Sequence, residues 1–554
     1  YELEGSGRGF TLFGEKGAAF FSGGTLRLDD TYNPTTLRIE GSAFLAGGTN
    51  VAWLIDSANP ARQSLIDVVA DIDNSGGTLT TYATRDLPVF IKVASTDGEL
   101  PPLDPTQSHS WTFATTANGV INFASESFLV THDYFDSRFA GNFGLALNGD
   151  TLELVYDPSH VFSAATDVTI DTSLAAQGRF GGLFKSGAGT LTLAAANAFT
   201  GDTVLAEGAL RLGHDQALGT GALRVAGDAS LSGSGAPRTI ANQVYLFDNL
   251  TIDGAADLTF TGALTNTSTG HRTLNLHNQG ATTFGDIVLS SATDAYTTTG
   301  RRLTLDVAAD AGTVTVAGSI RDGVLPGGQI VKHGGGKLVL DGFNTYTGNT
   351  TVESGTLIVN GSIASSALTT LRDGATLGGS GTIGNLLLHA GATLAPGNSP
   401  GSLTIAGDFT WNGGTTYVWE INDADGIAGM DWDYLDIQGA LYLDASIENP
   451  FTISLVSLTS DNLAGPLFNF GATQNHAYTI ASAAGGIFGF NASAFTIDTT
   501  GFANPLNGAW SIARNGNDLQ LIYTAIPEPS TYAALLGLAV LTLALRRRRA
   551  APAS

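Results

Sequence analysis

The chain has 554 residues, and its 50 Asp and Glu against 25 Lys and Arg give a formal net charge of −25. That balance excludes a nucleic-acid binder, because neutralising phosphates needs a basic surface. With no cysteine, disulfide frameworks, cysteine-ligated zinc and thiol nucleophiles are excluded as well. The 71 glycines, beside 43% hydrophobic residues, point instead to many short strands joined by tight turns. Acidic and free of thiols, such a chain fits an exported bacterial protein.

No basic stretch leading into an apolar one follows Tyr1, so either a signal peptide has been removed or further sequence lies upstream. The match to residues 403–523 given below favours the second and makes residues 1–157 the expected closing part of a first β module. Within it, LRIEGSAFLAGGTNVAWLID (37–56), HSWTFATTANGVINFASESF (109–128) and NGDTLELVY (148–156) are three blocks of alternating apolar residues.

Residues 158–411 carry two segments that align without a gap, 185–213 (KSGAGTLTLAAANAFTGDTVLAEGALRLG) and 332–360 (KHGGGKLVLDGFNTYTGNTTVESGTLIVN). Leu191 and Leu193, like Leu338 and Leu340, alternate with small or polar residues and mark strands with one buried face. Asn197 and Asn344 stand where a side-chain amide bonds turn backbone. Phe199 or Tyr346 would cover the corner, and Gly201 and Gly348 relax the backbone there. This skeleton resembles the autotransporter-associated β-strand repeat of bacterial surface proteins, and residues 374–411 resemble its closing coils. The resemblance implies a right-handed parallel β-helix.

Residues 412–525 then repeat the first module. LTIAGDFTWNGGTTYVWEIN (403–422), HAYTIASAAGGIFGFNASAF (476–495) and NGNDLQLIY (515–523) match the three blocks above, in order, at offsets of 366 and 367. Their aromatic-rich alternation reads as antiparallel strands that cap the open end of the solenoid. The expected fold is therefore all-β: a parallel β-helix with antiparallel capping modules, plus one hydrophobic C-terminal helix.

That helix lies in IPEPSTYAALLGLAVLTLALRRRRAAPAS. Residues 532–545 carry no charge and would rise about 21 Å as a helix, short of a roughly 30 Å hydrocarbon core. Pro527 and Pro529 keep the preceding stretch extended, and Arg546, Arg547, Arg548 and Arg549 would stay on the cytoplasmic side. The combination over 526–549 resembles the PEP-CTERM sorting signal. The resemblance implies a Gram-negative, exopolysaccharide-producing host and recognition by an exosortase-type membrane peptidase. It also implies cleavage near Pro527, Glu528 and Pro529, and transient anchoring of residues 532–545 in the inner membrane. This ending counts against a C-terminal outer-membrane barrel.

Chemistry finds little support. His109 and His476 occupy matching positions in the two modules, and the other histidines are scattered without metal spacing. Asp423, Asp425, Asp431, Asp433 and Asp436 are dense enough to suggest Ca²⁺, but they break the EF-hand order and the first module lacks most of them. Catalytic, cofactor and metal residues are thus expected to be none. The expected role is that of a surface or matrix scaffold, adhesin or biofilm component, with exopolysaccharide or other surface glycans as partners. A carbohydrate-binding or carbohydrate-cleaving β-helix is the alternative.

Overall fold

The computed structural model describes residues 10–13, 18–21, 25–30, 33–34, 36–56, 60, 63–69, 76–84, 88–95, 103–134, 141–267, 270–290, 300–526, 537–543 and 545–546. The chain is all-β, 52% strand and 3% helix, and its parallel strands stack in long sheets consistent with a β-helix solenoid. It divides into two compact units, Tyr1–Leu368 and Thr369–Ser554.

In the first unit, residues beyond His160 wind through three sheets. The first sheet runs His160–Phe162, Leu183–Lys185, Thr203–Leu205, Leu223–Val225, Val244–Leu246, Leu264–Asn266, Ile287–Ser290 and Ile320–Gly323, each strand parallel to the next. The second contains Thr190–Leu193, Gly208–Leu212 and Ala229–Gly233 among its rungs, and the third Arg238–Ile240, Leu258–Phe260, Thr282–Phe284 and Val314–Val316. In-register pairing stacks like on like. Leu191, Leu210, Leu231, Ile252, Leu276 and Val307 form one buried column. Leu191, Leu193, Leu338 and Leu340 all face the interior, as their alternation requires.

Described strands up to Asp157 form three further sheets and a two-stranded ribbon, and one of those sheets lies against the solenoid flank. Rungs Thr203–Leu205 through Ile287–Ser290 of the first sheet are buried on both faces, where the other sheets alternate. Phe90 and Leu129 pack with Ala222 and Tyr245 in one cluster. Arg224 donates to the carbonyl of Val130 at 2.6 Å, sits 3.6 Å from Asp202 and covers the Phe247 ring at 5.4 Å. Gly48, at φ +81°, lets the backbone approach Val324: a Cβ there would lie 2.8 Å from a Val324 methyl.

The second unit repeats the pairing order of the first unit's N-terminal strands. Thr36–Glu40, Leu65–Val69, His109–Thr116, Thr151–Asp157 and Asn142–Asn148 are neighbours in one sheet. Ser402–Ile405, Tyr434–Ile437, His476–Ala483, Asp518–Ala525 and Gly508–Asn515 follow the same order in the other unit. The last two strands of each set pair antiparallel, and a bulge falls at Thr112/Ala114 in one and Thr479/Ala481 in the other. Trp53 packs on Trp111 in the first unit and Trp419 on Tyr478 in the second, all four buried.

One expectation needs correcting. The helix expected over residues 532–545 is described only at 537–543 and 545–546, and no helix among the described residues is long and apolar enough to cross a membrane. Its described residues rise roughly 15 Å, half of a hydrocarbon core. The inner-membrane anchor expected from it has no support in the structure.

Candidate functional site

The two matched repeats carry the same two polar devices and differ in a third. Asn197 accepts from Leu174 N at 2.8 Å and donates to the carbonyl of Ala217, so one amide joins the coil below to the coil above. Asn344 does likewise, accepting from Ile320 N at 2.8 Å and donating to Ser362 O at 3.0 Å. Buried amides are kept only when so satisfied.

The lysine that opens each repeat was not assigned a role from its sequence, and it is the most unusual group in the chain. Lys332 is fully buried, and its ammonium donates to the carbonyls of His333 (2.8 Å), Gly334 (2.6 Å) and Ser354 (3.1 Å). Lys185 makes the same contacts with Ser186, Gly187 and Glu207. Burial lowers both amines, Lys332 to about 8, while Asp306 and Glu207 respectively push the other way. The recurring K-x-G-x-G was the available signal: an ammonium has three donors, and that turn with the next coil offers three carbonyls.

The corner aromatics differ. Tyr346 bonds Thr350 at 2.6 Å, which reaches Ser366 and then the carbonyl of Gly348. Phe199 has no hydroxyl, and the buried Thr203 Oγ1 beside it makes no hydrogen bond.

His109 and His476 serve matching structural ends. Each donates through Nε2 to a loop carbonyl, of Asp104 at 2.6 Å and of Gly471 at 3.2 Å, and each ring lies 6.2 Å from a tyrosine, Tyr156 or Tyr523. In the acidic segment, Asp423, Asp431 and Asp433 accept from backbone N–H groups. Asp433 is buried and accepts from Gly401 N and Glu420 N, at 2.8 and 2.9 Å. Burial drives its carboxyl well above the ordinary range, against the pull of those two donors. Asp431 accepts from Ile427 N, and Asp423 from Asp425 N and Asn469. Among the described residues, no three His, Asp or Glu side chains converge as a metal site.

Of the expected sorting residues, Arg546 is exposed at the end of the described helix. Pro527, Glu528, Pro529, Arg547, Arg548 and Arg549 lie outside the described residues. The helix presents Leu538, Val540, Leu541, Leu543 and Leu545 to solvent.

One outer column in each unit is lined by threonine. Thr239, Thr259, Thr283 and Thr315 stack in register on the third sheet of the first unit. Thr376, Thr393, Thr416, Thr452 and Thr496 stack on a sheet of the second, all at least partly exposed.

Comparison with known proteins agrees with the two motifs. Residues 183–212 and 330–359 match the passenger-associated-transport-repeat, and residues 525–549 match the PEP-CTERM protein-sorting motif. An extracellular serine protease of Serratia marcescens is 38% identical over 96 residues, 17% of this chain and 9% of the relative. The adhesin BmaC autotransporter of Brucella suis biovar 1 (strain 1330) is 30% identical over 126 residues, 22% of this chain and 4% of the relative. The chain therefore spans less than a tenth of the curated relatives it matches. The sorting motif implies processing by an exosortase, and together the matches point to an exported or extracellular protein.

Proposed function

We propose that this is an exosortase-sorted structural or adhesive protein of a Gram-negative cell surface or matrix, and not an enzyme. Its body is a right-handed parallel β-helix with antiparallel capping modules, and the C-terminal motif is an address cleaved near Glu528. One observation supports the structural role: an outward column of a sheet in each unit is a threonine ladder, with the repeats' polar side chains turned to joining coils. Glycoside hydrolysis would call for two facing carboxylates at a set separation, and in the acidic segment Asp423, Asp431 and Asp433 accept from backbone N–H groups. The two relatives, an extracellular protease and an adhesin, are compatible with surface display.

Mass spectrometry of protein recovered from the surface of the native cell tests the reading. The expected C-terminus lies close to Glu528. An intact Ala-Pro-Ala-Ser end on surface protein would refute processing, and recovery from the cytoplasm alone would refute export.

A second reading, glycan binding, is favoured by one observation: Tyr442 and Phe488 are aromatic, adjacent and exposed on a sheet of the second unit.

A further inference from the structure

We infer that the face carrying Tyr442 and Asp444 is a binding site for a neutral sugar chain. The inference rests on the second reading above, and the structural reading stands whether or not this face binds.

The face is built by three neighbouring rungs. Phe409–Asn412 pairs with Leu441–Asp444, which pairs with Ile487–Phe488. Burial alternates along Leu441–Asp444, so Tyr442 and Asp444 point outward together, roughly 7 Å apart by strand geometry. Tyr442 and Phe488 are directly opposite, their rings 5.4 Å apart and 19° from parallel, yet 44% and 52% exposed. Beside them is a cleft of about 410 Å³ whose polar lining is His389, Asn412, Asp444, Ser446 and Asn449.

The chain contains its own comparison. At the matching rungs of the first unit, Thr80 stands for Tyr442, Ile121 for Phe488, Ala46 for Asn412 and Tyr82 for Asp444, judged by identical pairing. The same strand arrangement forms with its aromatic pair elsewhere on the face, Phe44 stacked on Tyr82 at 6.1 Å, and without the amide or the acid. Architecture therefore does not demand an aromatic pair at these two positions, nor the amide and acid beside it.

Their chemistry selects the occupant. An aromatic surface beside carboxylate, amide, imidazole and hydroxyl groups suits a ring that is apolar on one side and ringed by hydroxyls. Arg372 lies 3.5 Å from His389 Nε2 at the cleft's rim, and the chain's charge of −25 repels polyanions. A peptide strand cannot add at Leu441–Asp444, which is paired on both edges, and the last rung of this sheet, Ile487–Phe488, offers only two residues to pair with. A lone carboxylate also gives binding without hydrolysis.

Affinity electrophoresis of the full chain through gels containing soluble β-glucan, mannan or galactan tests this, with a polyuronate gel alongside. The expected result is retardation by at least one neutral polysaccharide. Tyr442→Ala with Phe488→Ala should weaken it about tenfold or more, equivalent to 1.4 kcal/mol. Asp444→Asn, which keeps the shape of an exposed side chain, should weaken it as well, with an unchanged circular dichroism spectrum. Tyr82→Ala in the first unit should leave it unaltered. No retardation by any neutral gel, equal retardation of wild type and variants, or stronger retardation by polyuronate would each overturn the assignment. A surface-recovered protein that fails this assay would leave export and processing intact, so the two readings fail separately.

Discussion

Replacing Lys332 with Met keeps the buried stem and removes the ammonium that ties three carbonyls together. Hydrogen bonds to a charged group contribute about 1.5–3 kcal/mol each, so the three together are worth roughly 4–9 kcal/mol. Against this stands the cost of burying the charge: a fall from 10.5 to about 8 corresponds to roughly 3 kcal/mol. Lys332→Met should therefore lower local stability by about 3 kcal/mol, near a hundredfold in the opening equilibrium. Hydrogen exchange read by mass spectrometry on peptides spanning 329–359 measures it directly. The pH dependence adds a second reading. The folded amine has the lower pKa, so the unfolded chain binds the extra proton between about 8 and 10.5. Wild-type stability should rise through that window relative to Lys332→Met, and the difference should be flat below pH 7. Unchanged protection in the variant, or a difference that falls with rising pH, would refute the reasoning.

Four further outcomes are expected. Phe199→Tyr should place a hydroxyl against the orphaned Thr203 Oγ1, as Tyr346 does with Thr350, and raise stability by about 0.5–1.5 kcal/mol; a loss in urea unfolding would show that the corner has no room. Leu340→Ala should cost about 2–5 kcal/mol, because the side chain is fully buried, and a cost under 1 kcal/mol by the same measurement would contradict the solenoid core. Phe90→Thr installs the residue found at the matching position Thr452 and should cost about 2–4 kcal/mol by emptying the contact with Tyr245. Deleting residues 527–554 should leave the melting temperature of the body unchanged while abolishing surface delivery, since the described apolar residues of that segment are exposed; a clear fall in melting temperature would mean that the segment packs on the body.

Local pattern determined much of this protein. Alternation alone put Leu191, Leu193, Leu338 and Leu340 inside, because successive strand side chains must point to opposite faces. The Asn-aromatic-Thr-Gly corner announced a turn, and the tail announced its motif. Tertiary structure decided what pattern could not. The first repeat lies on the first and second sheets, through Leu183–Lys185 and Thr190–Leu193. The second has moved one face round, to the second and third, through Gln329–His333 and Lys337–Leu340. Only the lengths of the intervening coils, summed over the whole path, set that phase. Phe90 and Thr452 sit at matching outward positions, yet one is buried on a solenoid flank and the other meets solvent. Period two tells which side a residue faces and nothing of what lies across from it. The cleft at Asp444 was equally invisible, since it gathers His389, Asn412 and Asn449 from separate coils. Stacking brings such residues together because parallel register, a non-local quantity, puts each coil about 4.8 Å above the last.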